Sequence, residues 1–249
     1  MILAASTHGD GRDATFLHGF TQTRESWLPV VRRLDGVRAT LVDAPGHGGS
    51  PDGSRSLWQA ADDVAETMPR GVLVGYSMGA RIALHTALSH PDRVTALVLV
   101  SGTAGIEDPA ERDARRRSDG ELASRIESIG VPAFLDEWLA NPMFAGLDAA
   151  SAMLHDRLRN TAQGLAASLR NAGTGTQDDL WPRLSGLHMP VLLVCGALDT
   201  KFVSIARRMH GLIPGSALET VEGAGHTVHL EDTEGFVQVL DRWFSARAQ

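Results

Sequence analysis

The sequence predicts an α/β fold: a mostly parallel sheet with helices on both faces, interrupted by a helical cap insertion. Three observations predict it. Short β-type apolar runs alternate with longer helical patterns through the first hundred or so residues, the signature of parallel strands joined by crossover helices. Strand signals then vanish between about residues 105 and 187, where Ala, Arg, Asp, Leu and Glu recur in helical patterns. The strand pattern resumes at residues 191–194, and the chain closes on an amphipathic helix. The expected organisation is a core in two pieces, 1–104 and 188–249, around a cap of residues 105–187.

Taken in order, residues 14–17 read as a strand, 25–34 as a helix, 39–42 as a strand and 57–67 as a helix. Val72-Leu73-Val74 is a short buried-type strand that runs straight into Gly75-Tyr76-Ser77-Met78-Gly79, and residues 80–89 are helical in composition and period. Residues 97–100 form the next buried strand. Pro132, Pro142 and the Gly173-Thr174-Gly175-Thr176 turn break the helical pattern of the cap. Residues 191–194 and about 217–221 are strands, and 233–246 are the final helix.

Composition excludes several classes. With 249 residues, 43% apolar and 21% charged, the chain is an ordinary folded protein without an apolar run long enough to span a membrane. A net charge of -7 argues against nonspecific nucleic-acid binding, which draws on a broad basic surface. The single cysteine, Cys195, allows neither an intramolecular disulfide nor a C-x-x-C pair. No metal-ligand motif and no G-x-G-x-x-G loop is present, so no metal or cofactor is expected. Met1 to Ser6 lacks a basic leader, which points to a cytoplasmic protein. Neither a heptad repeat nor an apolar stripe specifies an oligomeric state.

The chemistry is concentrated at strand ends. Gly75-x-Ser77-x-Gly79 has the pattern of a strained strand-to-helix turn that lifts a serine hydroxyl above the sheet edge. A serine hydroxyl is a weak nucleophile and base at neutral pH; it needs an imidazole to take its proton and a carboxylate to orient that imidazole. Asp199 follows the strand 191–194, and His226 follows the next one inside Gly223-Ala224-Gly225-His226. Alone, Asp199 reads as a turn-capping carboxylate and His226 as a loop histidine bonded to a carbonyl. Placed after successive strands in the order Ser, Asp, His, they read as the catalytic triad Ser77, Asp199 and His226. Two backbone N–H groups should complete an oxyanion hole, one from Met78 after the serine and one from Phe20 in His18-Gly19-Phe20. His18 itself is expected to bond within its loop.

These motifs, together with Asp43-Ala44-Pro45-Gly46-His47-Gly48-Gly49-Ser50, resemble the α/β-hydrolase superfamily across nearly the whole chain. A finer likeness is carried by His18-Gly19-Phe20-Thr21-Gln22-Thr23-x-x-Ser26-Trp27, Gly75-Tyr76-Ser77-Met78-Gly79-Ala80-Arg81 and Glu111-Arg112-x-Ala114-Arg115-x-x-x-Asp119. Phe134-x-x-x-Trp138-x-x-x-Pro142-x-Phe144, Asp199-x-Lys201-Phe202 and Gly225-His226-x-x-His229 extend it. The set is similar to the 2-succinyl-6-hydroxy-2,4-cyclohexadiene-1-carboxylate (SHCHC) synthases of menaquinone biosynthesis, with Ala80 where that family usually has glycine. The resemblance implies a cofactor-free lyase that eliminates pyruvate from a cyclohexene bearing enolpyruvyl, succinyl and carboxylate groups (SEPHCHC). It also implies substrate contacts from Arg81, Arg115, Arg159, Tyr76 and Trp138.

A polycarboxylate substrate calls for arginines, because a planar guanidinium pairs with a carboxylate through two hydrogen bonds. Arg81 lies four residues after Ser77, on the same face of the helix; its plain alternative is an exposed helix position. Arg115, among Arg112, Arg116 and Arg117, has a solvated basic face as its alternative. Two other functions fit the same residues: a carboxylesterase or C–C bond hydrolase that forms an acyl-enzyme, and a noncatalytic ligand receptor.

Overall fold

The computed structural model describes residues 1–51 and 54–246; residues 247–249, at the end of the expected second core piece, lie outside the described residues, as do 52–53. Among the described residues seven strands form one sheet: β1 (Ala5–His8), β2 (Arg12–Leu17), β3 (Val37–Val42), β4 (Gly71–Tyr76), β5 (Val94–Val100), β6 (Val191–Gly196) and β7 (Ala217–Val221). Their order is β1-β3-β2-β4-β5-β6-β7. Only β1 runs antiparallel to its neighbour, with Ala5 opposite Val42; the other pairs are parallel. β1 is absent from the sequence reading for a physical reason. At the sheet edge its four residues, Ala-Ser-Thr-His, bury little and carry no apolar alternation.

The helices are α1 (Leu28–Val31), α2 (Leu57–Thr67), α3 (Met78–Ser89), α4 (Pro109–Leu139), α5 (Leu154–Arg157), α6 (Ala162–Ala172), α7 (Thr200–Leu212), α8 (Val228–Glu231) and α9 (Thr233–Ser245). α2 begins where a capping box places it: Ser56 accepts from the Gln59 N–H and Gln59 reaches back to the Ser56 N–H. The helix expected over 25–34 is instead a 3-10 turn, Arg24–Trp27, followed by the single turn α1. No helix among the described residues is long and apolar enough to cross a membrane.

Alternation along the strands sorts side chains into two cores. Leu17, Leu73, Leu97, Leu99 and Leu193 pack against α2, α3 and α7 on one face. Phe16, Leu41, Val74, Val98 and Val194 pack on the other against Trp27, Val30 and the α9 residues Phe236, Leu240 and Trp243.

Between Val100 and Val191 the described chain is helical and has a small core of its own, in which Ile126, Phe134 and Leu135 of α4 meet Leu165 and Leu169 of α6. Phe20 packs against this cluster and against the main core, so it joins the two layers. Two details depart from the sequence reading. The break in α4 falls at Gly130 (φ 77°, ψ 166°), ahead of Pro132, because the proline lacks the N–H that would continue the ladder and glycine tolerates the positive φ. Leu180, Trp181, Leu184 and Leu187, expected in the cap, pack with α2, α3 and α7 in the main core, because this last stretch returns along the sheet before β6.

Candidate active site

Ser77 sits between β4 and α3 with φ 51° and ψ -106°, a strained conformation. Its two glycines are sterically required. A Cβ on Gly75 would lie 2.3 Å from the Gly79 carbonyl oxygen, and one on Gly79 would lie 2.2 Å from that of Leu17. Asp199 follows β6 and caps α7, one carboxylate oxygen accepting from the Phe202 N–H at 3.2 Å. Its other oxygen is 2.7 Å from His226 Nδ1. His226 Nε2 is 3.1 Å from Ser77 Oγ. With the Nδ1 proton held by a carboxylate, the free lone pair of His226 faces the serine hydroxyl.

The loop after β2 is organised by His18. Its Nε2 accepts from the Ala44 N–H at 3.0 Å, so Nδ1 carries the proton and donates to the Gly19 carbonyl at 2.8 Å. Gly19 allows close approach, since a Cβ there would lie 2.5 Å from the Tyr76 ring. Phe20 and Met78, the two expected oxyanion donors, both lie in the wall beside Ser77.

Four buried histidines give the fold a pH dependence. Burial holds His18 below its usual range, His47 down to about 3, His85 down to about 4 and His229 well below 6.5. Above pH 6.5 these rings are neutral in both folded and unfolded chains and contribute nothing to pH dependence. Below it the unfolded chain binds protons that the folded chain refuses, so stability falls as pH drops below 6.5 toward the folded values. Urea unfolding at pH 7.5 and 5.0 should show a clearly lower midpoint at pH 5.0 with an unchanged slope.

A cavity of about 700 Å³ opens over the triad, between the sheet edge and the cap. Trp138 and Phe144 from the cap, Phe20, and His226 line its apolar part. The Trp138 ring lies 5.4 Å from Phe20, and its indole N–H is buried with no hydrogen-bond partner among the described residues. Arg81 is buried, with Nη1 2.6 Å from the Ala172 carbonyl, and burial brings its guanidinium down to about 10. Arg115 is half-exposed and bonds Asp119 through Nε at 2.7 Å. Arg157 is buried, donates to Thr21 Oγ1 and to the Ala152 carbonyl, and is likewise brought down to about 10.

Comparison with known proteins agrees with this geometry: residues 16–239 match the model of the alpha/beta hydrolase family. The chain belongs to the α/β-hydrolase family. Within it, the chain is 37% identical to a Bacillus subtilis protein named for 2-succinyl-6-hydroxy-2,4-cyclohexadiene-1-carboxylate synthase, over 92% of this chain and 89% of that one. It is 32% identical to the synthase of that name from Citrobacter koseri, over 96% and 98% of the two chains. Among solved structures, MenH from S. aureus superposes with a TM-score of 0.89 at 28% identity, covering 98% of this chain and 99% of that one. A malate-bound thermophilic esterase from Thermogutta terrifontis gives 0.84 at 25% identity, covering 98% and 93%.

In this α/β-hydrolase, the structure brings Ser77, His226, Phe20, Met78, Tyr76, Arg81, Arg115 and Trp138 together around one cavity, with Asp199 bonded to His226 and not in the wall itself. It does not bring Arg159 there. That side chain is exposed and pairs with Asp156 at 3.3 Å and Glu25 at 3.8 Å, outside the wall. Arg157 occupies the position expected of it. Two residues apart on a short turn, the two arginines point to different sides, and sequence spacing alone does not say which turns inward. Tyr76 reaches the wall, but its hydroxyl is engaged with Thr227 Oγ1 at 3.0 Å, and burial holds the phenol well above its usual range. Lys201, singled out only within a motif, also lines the cavity.

Proposed function

We propose that this chain is an SHCHC synthase: a cytoplasmic, cofactor-free lyase that eliminates pyruvate from SEPHCHC in menaquinone biosynthesis. The observation that supports it best is the pairing of an aligned Ser77–His226–Asp199 triad with two buried arginines, Arg81 and Arg157, and the rim arginine Arg115 in one cavity. A buried guanidinium retained beside a catalytic serine suits a carboxylate-bearing guest. The names of the relatives agree with it.

In the proposed reaction His226 takes the Ser77 hydroxyl proton, and the serine oxygen removes the ring proton next to the succinyl ketone. Negative charge develops on the ketone oxygen, where the Phe20 and Met78 N–H groups meet it. The electrons then move through the ring and break the carbon–oxygen bond to the enolpyruvyl group, which leaves as the enolate of pyruvate and takes its proton from the imidazolium. Atoms balance without water, and no acyl-enzyme forms. The experiment is to generate the enolpyruvyl precursor enzymatically in place and follow pyruvate and diene formation, with aryl esters as the parallel substrate. Fast pyruvate release with feeble ester cleavage supports the synthase. Fast ester cleavage with no pyruvate makes the protein an esterase instead, and neither activity makes it a receptor.

The arginines give a second check. A charge-assisted hydrogen bond contributes about 1.5–3 kcal/mol, so Arg81→Ala and Arg157→Ala should each lower kcat/KM for the precursor by roughly 10- to 100-fold. Arg159→Ala, which removes only exposed ion pairs, should stay within about threefold. Equal losses at 157 and 159 would contradict the assignment of Arg157 to the site.

A further inference from the structure

α8 is a single turn whose last side chain folds back onto the loop before it. One carboxylate oxygen of Glu231 accepts the Gly225 N–H at 2.7 Å, and the other accepts the Thr227 N–H at 2.7 Å. These amides belong to the residues on either side of His226, so a single carboxylate holds the backbone before and after the histidine. Two charge-assisted bonds to neighbouring amides fix an orientation that neutral contacts hold less firmly. Other bonds also hold this loop, each to one side of the histidine or to its carbonyl: Ser101 Oγ donates to the His226 carbonyl at 2.9 Å, Tyr76 meets Thr227, the Ala224 carbonyl accepts the Leu198 N–H and the Thr227 carbonyl accepts the Leu230 N–H. Glu231 itself is not part of the cavity wall.

The same carboxylate touches the cap. A Cβ on Gly146 would lie 1.9 Å from Glu231 Oε2, the oxygen that receives the Gly225 N–H. Only glycine at 146 leaves that oxygen in place. Two residues earlier, Phe144 lies edge-on to the His226 ring with centroids 6.4 Å apart. The cap segment around 142–147 thus rests on both the histidine and the group that clamps its backbone.

We infer that Glu231 is a positioning residue for His226, aligning the ring through the Gly225 and Thr227 amides, and that Gly146 couples this clamp to the seating of the cap. The inference rests on the reading of His226 as the group that deprotonates Ser77. The alignment at stake is small: a misplacement near 1 Å is enough to cost about 100-fold in rate. Arg81, Arg115 and Arg157 bond Ala172, Asp119, Ala152 and Thr21 rather than Glu231, so a change at Glu231 should leave KM nearly unaltered.

The test uses the full chain. Glu231→Gln keeps the length of the side chain but turns an NH2 group toward one of the two amides. Its kcat for pyruvate release should fall about 10- to 100-fold with KM within about twofold, and phosphonylation of Ser77 by a fluorophosphonate should slow in proportion. Gly146→Ala should slow both reactions in the wild-type background and add clearly less in the Glu231→Gln background, where one of the two bonds is already lost, as two changes acting on one element do. The clamp is overturned if Glu231→Gln keeps both rates within twofold while His226→Ala is inactive, or if its losses merely track a collapsed melting temperature. Equal effects of Gly146→Ala in both backgrounds overturn the coupling to the cap. Wild-type turnover by His226→Ala overturns the role of His226 itself, and the clamp with it.

Discussion

Ser77→Ala is expected to lower pyruvate release by about 10⁴-fold or more while leaving the fold and the binding of the precursor nearly intact. The serine oxygen is the group in line with His226 Nε2, at 3.1 Å, and alanine offers nothing to carry the proton. Removing the serine from a triad in which the members act as a unit costs about as much as removing the whole. Stability should change little, because alanine accepts the φ of 51° at the same backbone cost as serine and Gly75 and Gly79 still permit the turn. Arg81, Arg115 and Arg157 remain, so the precursor should bind with a Kd within a few fold of wild type. A coupled pyruvate assay with calorimetric binding checks both parts. Full turnover by this variant, or an acyl group trapped on Ser77 from the true substrate, would remove serine from the role of base.

The second large effect belongs to Asp199→Asn, for which a loss near 10⁴-fold at neutral pH is expected. Asp199 accepts from two partners, Phe202 N–H with one oxygen and His226 Nδ1–H with the other. Asparagine keeps one acceptor. Asn is as good a helix cap as Asp, so its oxygen is retained by α7 and its NH2 group turns to the imidazole. Nδ1 must then accept, the ring proton moves to Nε2, and the lone pair that should face Ser77 is gone. Thermal unfolding should shift by only a few degrees, because the cap survives. The kinetic loss should shrink as pH rises and hydroxide takes over the serine proton. A variant that works at the wild-type rate at neutral pH would take Asp199 out of the mechanism.

Neither effect depends on knowing which arginines meet the guest, and there the sequence reading was weakest. It expected Arg159; the cavity holds Arg157. Both sit in the same short stretch, and Arg157 is the one received by Thr21 from the body of the protein and by the Ala152 carbonyl within the cap. Glu231 was missed for the same kind of reason. A glutamate five residues after a histidine has no signature of its own until the chain turns at α8 and brings its carboxylate back to the loop. Tyr76 lines the cavity, and its bond to Thr227 spans 151 residues and is invisible in the local pattern.

The sequence by itself determined the parallel core strands, the helical nature of the cap, the strained turn at Ser77 and the order of serine, aspartate and histidine. These depend on short-range rules, namely apolar period, glycine at a tight turn and polar groups at strand ends, and the rules are legible within a few residues. Tertiary structure alone decided the edge strand β1, the break at Gly130, the inward turn of Arg157 and the clamp of Glu231 on the histidine loop. Strand β1 and the inward turn of Arg157 depend on partners far along the chain, Val42 and Thr21, about which local propensity carries no information. The break at Gly130 and the clamp of Glu231 involve near neighbours in sequence, but they depend on the path the chain takes there, which apolar period does not specify.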